Sequence, residues 1–300
     1  MLQTPVLFLI FNRPDTTALV FEEIRKAAPL RLYVAADGPR RNKDNEAELC
    51  EKTRAILKNV DWPCEIKSLF REENLGCKKA VSSALDWFFR SETEGIILED
   101  DCLPHFDFFS FCSDMLARYR EDERIMHIAG INFQFGRTVG QGSYYFSRIN
   151  HIWGWASWRR AWEHYDVDMK AYPSFKQQYL IKNIFRQSRI QKFWINVFDK
   201  LTSGKIDTWD YQWAFAMWIN SGLSIIPNKN LVSNIGFETG GTHAKDKGNI
   251  YANIPRVPLG KIIHPEFIID DIAADERTLN MMHNPSLITY VLRHKLKLLK

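Results

Sequence analysis

Three carboxylates stand side by side at Glu99, Asp100 and Asp101, directly after the short apolar run 95–98 and before Cys102-Leu103-Pro104. Such a run reads as a buried strand, and a buried strand does not ordinarily end in three adjacent acids. Left unpaired, the acids repel one another and resist removal from water. A divalent cation resolves that conflict, because hard carboxylate oxygens suit Mg²⁺ or Mn²⁺. A solvated acidic turn is the plainer reading of the same residues.

Other polar residues follow strand-like runs in the same way. Asn12 and Arg13 come after run 5–11, Asp37 after 31–36, and Asn74 shortly beyond 65–70. In a parallel sheet the strand ends share one rim, where open α/β sheets bind ligands, so these clusters would converge. A guanidinium, a carboxylate and cation-ready acids on one rim make a receptor for a nucleoside diphosphate. Arg13 would pair with phosphate, the cation would bridge both phosphates, and Asp37 would accept from a base N–H or a ribose hydroxyl. Taken singly, Asp37-Gly38 is an ordinary turn and Arg13 an ordinary surface residue.

The elements that must position these residues alternate between strand and helix over residues 1–130, the pattern of a mainly parallel sheet wrapped by helices. Strands are expected at 5–11, 31–36, 65–70, 95–98 and 125–130. Helices are expected at 17–26, 43–58, 77–90 and 106–119. Residues 131–160 lose any clear period and turn rich in Gly, Ser and aromatics, which suggests a long functional loop or a short hairpin. Helical patterns return near 175–185, 190–202 and 211–220, a strand follows at 222–227, and 236–250 reads as a Gly-rich loop. The organisation expected is one catalytic unit over 1–250, with a nucleotide-binding half at 1–130 and an acceptor-binding half at 131–250, and a C-terminal extension at 251–300.

Composition narrows the function. The chain has 300 residues, 45% of them hydrophobic and 25% charged, which suits a globular protein with a sizeable core. A formal net charge of +4, without a basic patch interleaved with aromatics, argues against nucleic acid as a partner. No G-x-G-x-x-G or P-loop pattern follows the first strand. Five cysteines without a C-x-x-C pair point to a reducing, cytoplasmic setting rather than a disulfide framework or a zinc site. No secretion signal is apparent, and no apolar run approaches the ~20 residues of a membrane span. The basic stretch 287–300 holds Arg293, Lys295, Lys297 and Lys300 but no acid, which permits peripheral contact with anionic lipid. An ordinary solvated terminal helix fits the same stretch. Tryptophans 153, 155, 158 and 162 crowd one segment; core packing is their default, and stacking on sugar rings is the alternative.

Together the stretches "PVLFLIFNRPD", "AADGPR", "NLGCKKA", "IILEDD" and "IWGWASWRRAW" resemble bacterial nucleotide-diphosphosugar glycosyltransferases of the GT-A fold. The E-D-D form of the metal motif resembles inverting enzymes related to N-acetylglucosaminyltransferase I. The likeness covers about residues 4–245. It implies a Mn²⁺- or Mg²⁺-dependent transferase that uses a UDP-sugar and a glycan or glycoconjugate acceptor, in bacterial polysaccharide or glycoconjugate synthesis. It implies Asp101 as the direct metal ligand, Asp100 on the ribose side and Glu99 in support. Arg13 would bind diphosphate, Asp37 would read uracil and Asn74 would lie near the base. Gly154 would belong to the glycine-containing donor loop, Asp210 would be the catalytic base with Asp207 as its competitor, and His243 would touch metal or diphosphate. His151 would line the acceptor site. Two rivals remain open: a metal-dependent phosphohydrolase or nucleotidyltransferase, and a non-catalytic carbohydrate-binding protein built on Trp153, Trp155 and Trp158.

Overall fold

A computed structural model describes residues 1–237 and 250–283. The chain opens as β1 (Val6–Ile10), α1 (Pro14–Ala27), β2 (Arg31–Ala36), α2 (Glu46–Ala55), β3 (Glu65–Phe70), α3 (Gly76–Ser91) and β4 (Glu94–Glu99). It continues as β5 (Cys102–Pro104), α4 (Phe106–Arg118), β6 (Ile125–Ala129), β7 (Tyr144–Ser147) and β8 (Trp155–Trp158). Helices α5 (Arg159–Trp162), α6 (Tyr172–Gln177), α7 (Ile181–Ile184), α8 (Ser188–Thr202) and α9 (Asp210–Ile219) follow. Strands β9 (Leu223–Pro227) and β10 (Val232–Asn234) precede α10 (Ile272–His283).

Eight strands form one central sheet in the order β3-β2-β1-β4-β8-β6-β9-β7. The five residues of β1 are all buried, and their alternation builds two cores at once. Val6, Phe8 and Ile10 pack on one face with Val20, Phe21 and Ile24 of α1 and Met115 and Leu116 of α4. Leu7 and Leu9 pack on the other with Leu85 and Phe88 of α3 and Trp213 and Met217 of α9. A strand with helices on both sides has no polar face, which is why this run reads as continuous hydrophobics. Helices α6 to α9 share a third cluster, in which Trp194 meets Trp218 edge-on at 4.6 Å.

The expectation of a mainly parallel sheet holds in part: β6 also pairs with β9 in parallel, and only β7 and β8 run against the other strands. Strands β3, β2, β1 and β4 are parallel, but β8 runs antiparallel to both β4 and β6, and β7 runs antiparallel to β9. Strands β7 and β8 come from 131–160, expected as a loop or hairpin. They do not pair with each other, and β8 inserts between β4 and β6. Its residues Trp155 and Trp158 are buried on opposite faces, so this four-residue strand shows no polar alternation to announce it. The small antiparallel pair β5 and β10 was also unexpected; it joins Asn234 to Cys102 directly beside the acidic triplet. The final described segment packs on the body: Gln134 donates to the Ala274 carbonyl at 3.0 Å, and Ser147 to Asp275 at 2.5 Å.

Candidate active site

Strand β1 ends beside β4, with Leu9 opposite Glu99, so Arg13 and the triplet are delivered to the same rim. The Arg13 guanidinium donates from Nη2 to Asp100 Oδ1 at 2.5 Å and from Nη1 to Asp101 Oδ2 at 2.8 Å. Asp100 also accepts from the Phe11 N–H at 3.2 Å, and its side chain is 3% exposed against 14% for Asp101. The acids therefore diverge. Asp100 is turned into the protein and anchors Arg13, whereas Asp101 retains access to solvent.

Burial and the neighbouring acids dominate the electrostatics. Removal from water pushes the Glu99 carboxyl well above the usual carboxylate range, with Asp101 and Asp100 adding to the rise and Asp210 contributing from across the site. Glu99 Oε1 is buried without a hydrogen-bond partner. Burial also raises Asp100, although Arg13 opposes the shift. Burial lowers the Arg13 pKa, but Asp100 and Asp101 outweigh it and hold the guanidinium above its ordinary value. Part of the charge conflict read from the triplet is thus resolved by an arginine of the chain itself.

Gly236 closes over this ion pair. The Ile235 N–H donates to the Asp101 carbonyl at 2.9 Å, and a Cβ at position 236 would lie 2.3 Å from Asp101 Oδ2 and 2.8 Å from Arg13 Nη1. The sequence reading placed 236 only at the start of a Gly-rich loop; no residue pattern marked its approach to Asp101. His243 lies outside the described residues, as does stretch 287–300.

A second group of carboxylates gathers at the start of α3. Asp37 accepts from the N–H groups of Gly38 and Leu75 at 3.0 Å and Gly76 at 3.2 Å, and burial raises its pKa. Asn74 donates to the Gly38 carbonyl at 2.8 Å, so both residues build the turn they sit in. Asp207 accepts from the Cys77 N–H at 2.9 Å and the Lys78 N–H at 3.2 Å. Two acids from distant segments thus cap one helix, and neither has a local sequence signal for that helix. Asp210 opens α9 and accepts from the Thr208 hydroxyl. Its charge reaches both Glu99 and the Cys77 thiol.

Gly154 has φ of +65°, and a Cβ there would meet Val232 at 2.8 Å and Leu98 at 3.3 Å. It lets the segment entering β8 lie against β4 and β10, below the rim. His151 does not line a surface: it is 5% exposed and packs edge-on against Phe133 at 4.6 Å. Trp155 and Trp158 are likewise buried, Trp155 stacking on Trp209 at 5.5 Å and Trp158 donating to the Leu116 carbonyl. A sugar-binding platform formed by Trp153, Trp155 and Trp158 is therefore excluded. Trp153 alone is partly exposed, edge-on to Phe237 at 5.6 Å.

Among the described residues, no three His, Cys, Asp or Glu side chains converge as a metal cage. The donor set fits the other mode of Mg²⁺ and Mn²⁺ binding, in which one or two carboxylates share the ion with phosphates and water. Of the two aspartates paired with Arg13, Asp101 is the one with access to solvent.

No family model matches the chain, and no curated protein matches it. Solved structures do, at low similarity. S. aureus TarS 1–349 aligns with TM-score 0.40 and 11% identity over 78% of this chain and 62% of that one. An apo UDP-glucose pyrophosphorylase aligns with TM-score 0.34 and 10% identity over 78% of this chain and 93% of the other. A cytidylyltransferase from Leptospira borgpetersenii gives TM-score 0.32 and 11% identity over 54% and 63%. Likenesses at this level carry no argument, so the reading of function rests on the residues.

Proposed function

We propose that this protein is a glycosyltransferase of the GT-A fold. It moves a sugar from a nucleotide diphosphate, uridine diphosphate in our reading, to a hydroxyl of a glycan or glycoconjugate with inversion. The observation that supports it most is the Arg13–Asp100–Asp101 ion triad at the joined ends of β1 and β4, with Asp210 in electrostatic reach through Glu99. A half-buried, doubly anchored guanidinium beside a carboxylate that keeps some access to solvent suits a diphosphate and a shared cation better than a solvated turn does.

In this reading Asp101 would hold a divalent cation together with the diphosphate, and His243 would add to that set. When bound, the cation supplies positive charge where negative charge develops on the leaving group. Arg13 does the same from the protein side; Asp100 fixes its direction, so little reorganisation is needed during transfer. Asp37 and Asn74 shape the turn near which the base would lie, and Gly154 would belong to the donor loop. Asp210, oriented by Thr208, takes the proton from the acceptor hydroxyl as it attacks. Asp207 is engaged with the α3 N-terminus, which supports Asp210 rather than Asp207 for the base role.

A thermal-shift screen of nucleotide sugars with Mn²⁺ tests the reading, because a matched donor raises the melting temperature by mass action. A UDP-sugar should stabilise the wild type and fail to stabilise Asp101→Asn. If no nucleotide sugar shifts the melting curve, the reading is wrong. Complete donor hydrolysis without acceptor would point to a phosphohydrolase instead.

A further inference from the structure

Three segments bring aromatic side chains to the rim that carries Asp101. Strand β8 runs against β4 with Trp155 opposite Ile97, so Trp153 and Gly154 enter β8 beside the end of β4. Strand β6 also runs against β8, with Ala129 opposite Trp155, and the chain leaving β6 therefore carries Phe133 to the same end of the sheet. Phe237 comes from the segment after β10. It directly follows Gly236, the residue that lies against Asp101 and Arg13.

Trp153 sits at the centre of this group. Its ring meets Phe133 at 5.5 Å and 82°, and Phe237 at 5.6 Å and 78°. Phe133 is buried, whereas Trp153 and Phe237 are each partly exposed. The Trp153 indole N–H has no hydrogen-bond partner among the described residues. Core packing accounts for Trp155 and Trp158, but not for a tryptophan that keeps ring surface and its N–H within reach of a ligand.

The strand order indicates which ligand part meets it. Asp37 follows β2, the Arg13–Asp100–Asp101 triad joins β1 to β4, and Trp153 lies beyond, where β8 and β6 continue the sheet. A nucleotide sugar with its base near Asp37 and its diphosphate at the triad points its sugar, bonded to the outer phosphate, toward Trp153. A pyranose ring offers a face of C–H groups to an aromatic ring and hydroxyl oxygens to an N–H donor. Both are what Trp153 presents.

We propose that Trp153, flanked by Phe237, receives the pyranose ring of the transferred sugar and so takes part in selecting the donor. The inference rests on the nucleotide-sugar reading and names the part of the donor that this end of the rim recognises.

The test is calorimetry with Mn²⁺ and, in turn, UDP, UDP-glucose, UDP-galactose and UDP-N-acetylglucosamine. Trp153→Leu keeps an apolar side chain against Phe133 but removes the ring. It should bind UDP as the wild type does, and the UDP-sugar that the wild type binds best roughly ten-fold more weakly. Phe237→Leu should show the same split to a smaller extent, and it carries the test if Trp153→Leu does not fold. Unchanged UDP-sugar affinity in these variants, or an equal loss for UDP and UDP-sugar, would overturn the inference and leave the nucleotide-sugar reading standing. No binding of UDP by the wild type would refute that reading, and the inference with it. The matching methyl glycoside, titrated onto protein saturated with UDP and Mn²⁺, separates donor from acceptor. Glycoside binding that needs Trp153, when UDP-sugar binding does not, would make Trp153 an acceptor contact and overturn the assignment.

Discussion

Asp207 accepts the Cys77 N–H at 2.9 Å, and through that bond the loop before α9 is fastened to the first turn of α3. Gly76 has no room for a side chain here, since a Cβ would lie 2.6 Å from Asp207 Oδ2. The same helix start is held from the other side by Asp37. Asp210 follows Asp207 closely in sequence, so this clamp fixes where α9 presents Asp210 to the rim.

Replacing Asp207 should therefore behave as loss of a helix cap. Asp207→Ala is expected to lower unfolding stability by about 1 kcal/mol in urea titrations. Asp207→Asn, which keeps an acceptor oxygen, should lose less. Identical midpoints for both variants and wild type would show that the capping bonds contribute nothing.

Arg13 balances a carboxylate that is almost wholly buried. Arg13→Met should cost up to about 3–5 kcal/mol at high pH, where Asp100 must either stay charged and unpaired or take up a proton. The cost should shrink toward pH 6, because burial already favours the protonated form of Asp100. Asp100→Asn on top of Arg13→Met should recover much of the loss. Strict additivity in that double-mutant cycle would contradict the coupling.

Gly236 approaches the ion pair more closely than any side chain could. Gly236→Ala should leave the fold intact, because flexible side-chain ends can move aside, while shifting Asp101 away from Arg13. The expected result is at least ten-fold weaker binding of Mn²⁺ with uridine diphosphate by calorimetry. Unchanged affinity would mean that the close approach has no bearing on the site.

Asp275 supplies a pH signature away from the rim. Burial pushes its carboxyl up to about 7, against the lowering effects of the Ser147 hydroxyl and the Arg148 N–H. The unfolded chain releases this proton near pH ~4, so the contribution to stability is complete below that value and is lost as pH rises to about 7. The slope approaches ~1.4 kcal/mol per pH unit in that window. His127 and His151, held down to about 4 and 3 by burial, act oppositely: their contribution is present above pH ~6.5 and is lost on acidification. Comparing wild type with Asp275→Asn at about pH 5 and pH 7 isolates the aspartate. The variant should lack the decline; parallel curves would refute the assignment.

The parallel half of the fold was legible because β1, β2 and β4 are apolar runs that end at polar clusters, and 3.6-residue patterns separate them. The rim was legible for the same reason. Strand β8 was not: it is four residues long, buried on both faces and rich in tryptophan, so alternation and length both failed to mark it. The pairing of Arg13 with Asp100 and Asp101 follows from the register of β1 against β4, which no local pattern encodes. Asp207 looked like a competitor of Asp210 because its partners at Cys77 and Lys78 lie on a distant helix. Gly236 carried no sign beyond being a glycine near others.

The account stands most directly on titration of Mn²⁺ with uridine diphosphate into wild type and Asp101→Asn, followed by calorimetry. It predicts saturable binding by the wild type that disappears with chelator and is lost in the variant. Equal heats for both proteins, or none for either, would contradict it.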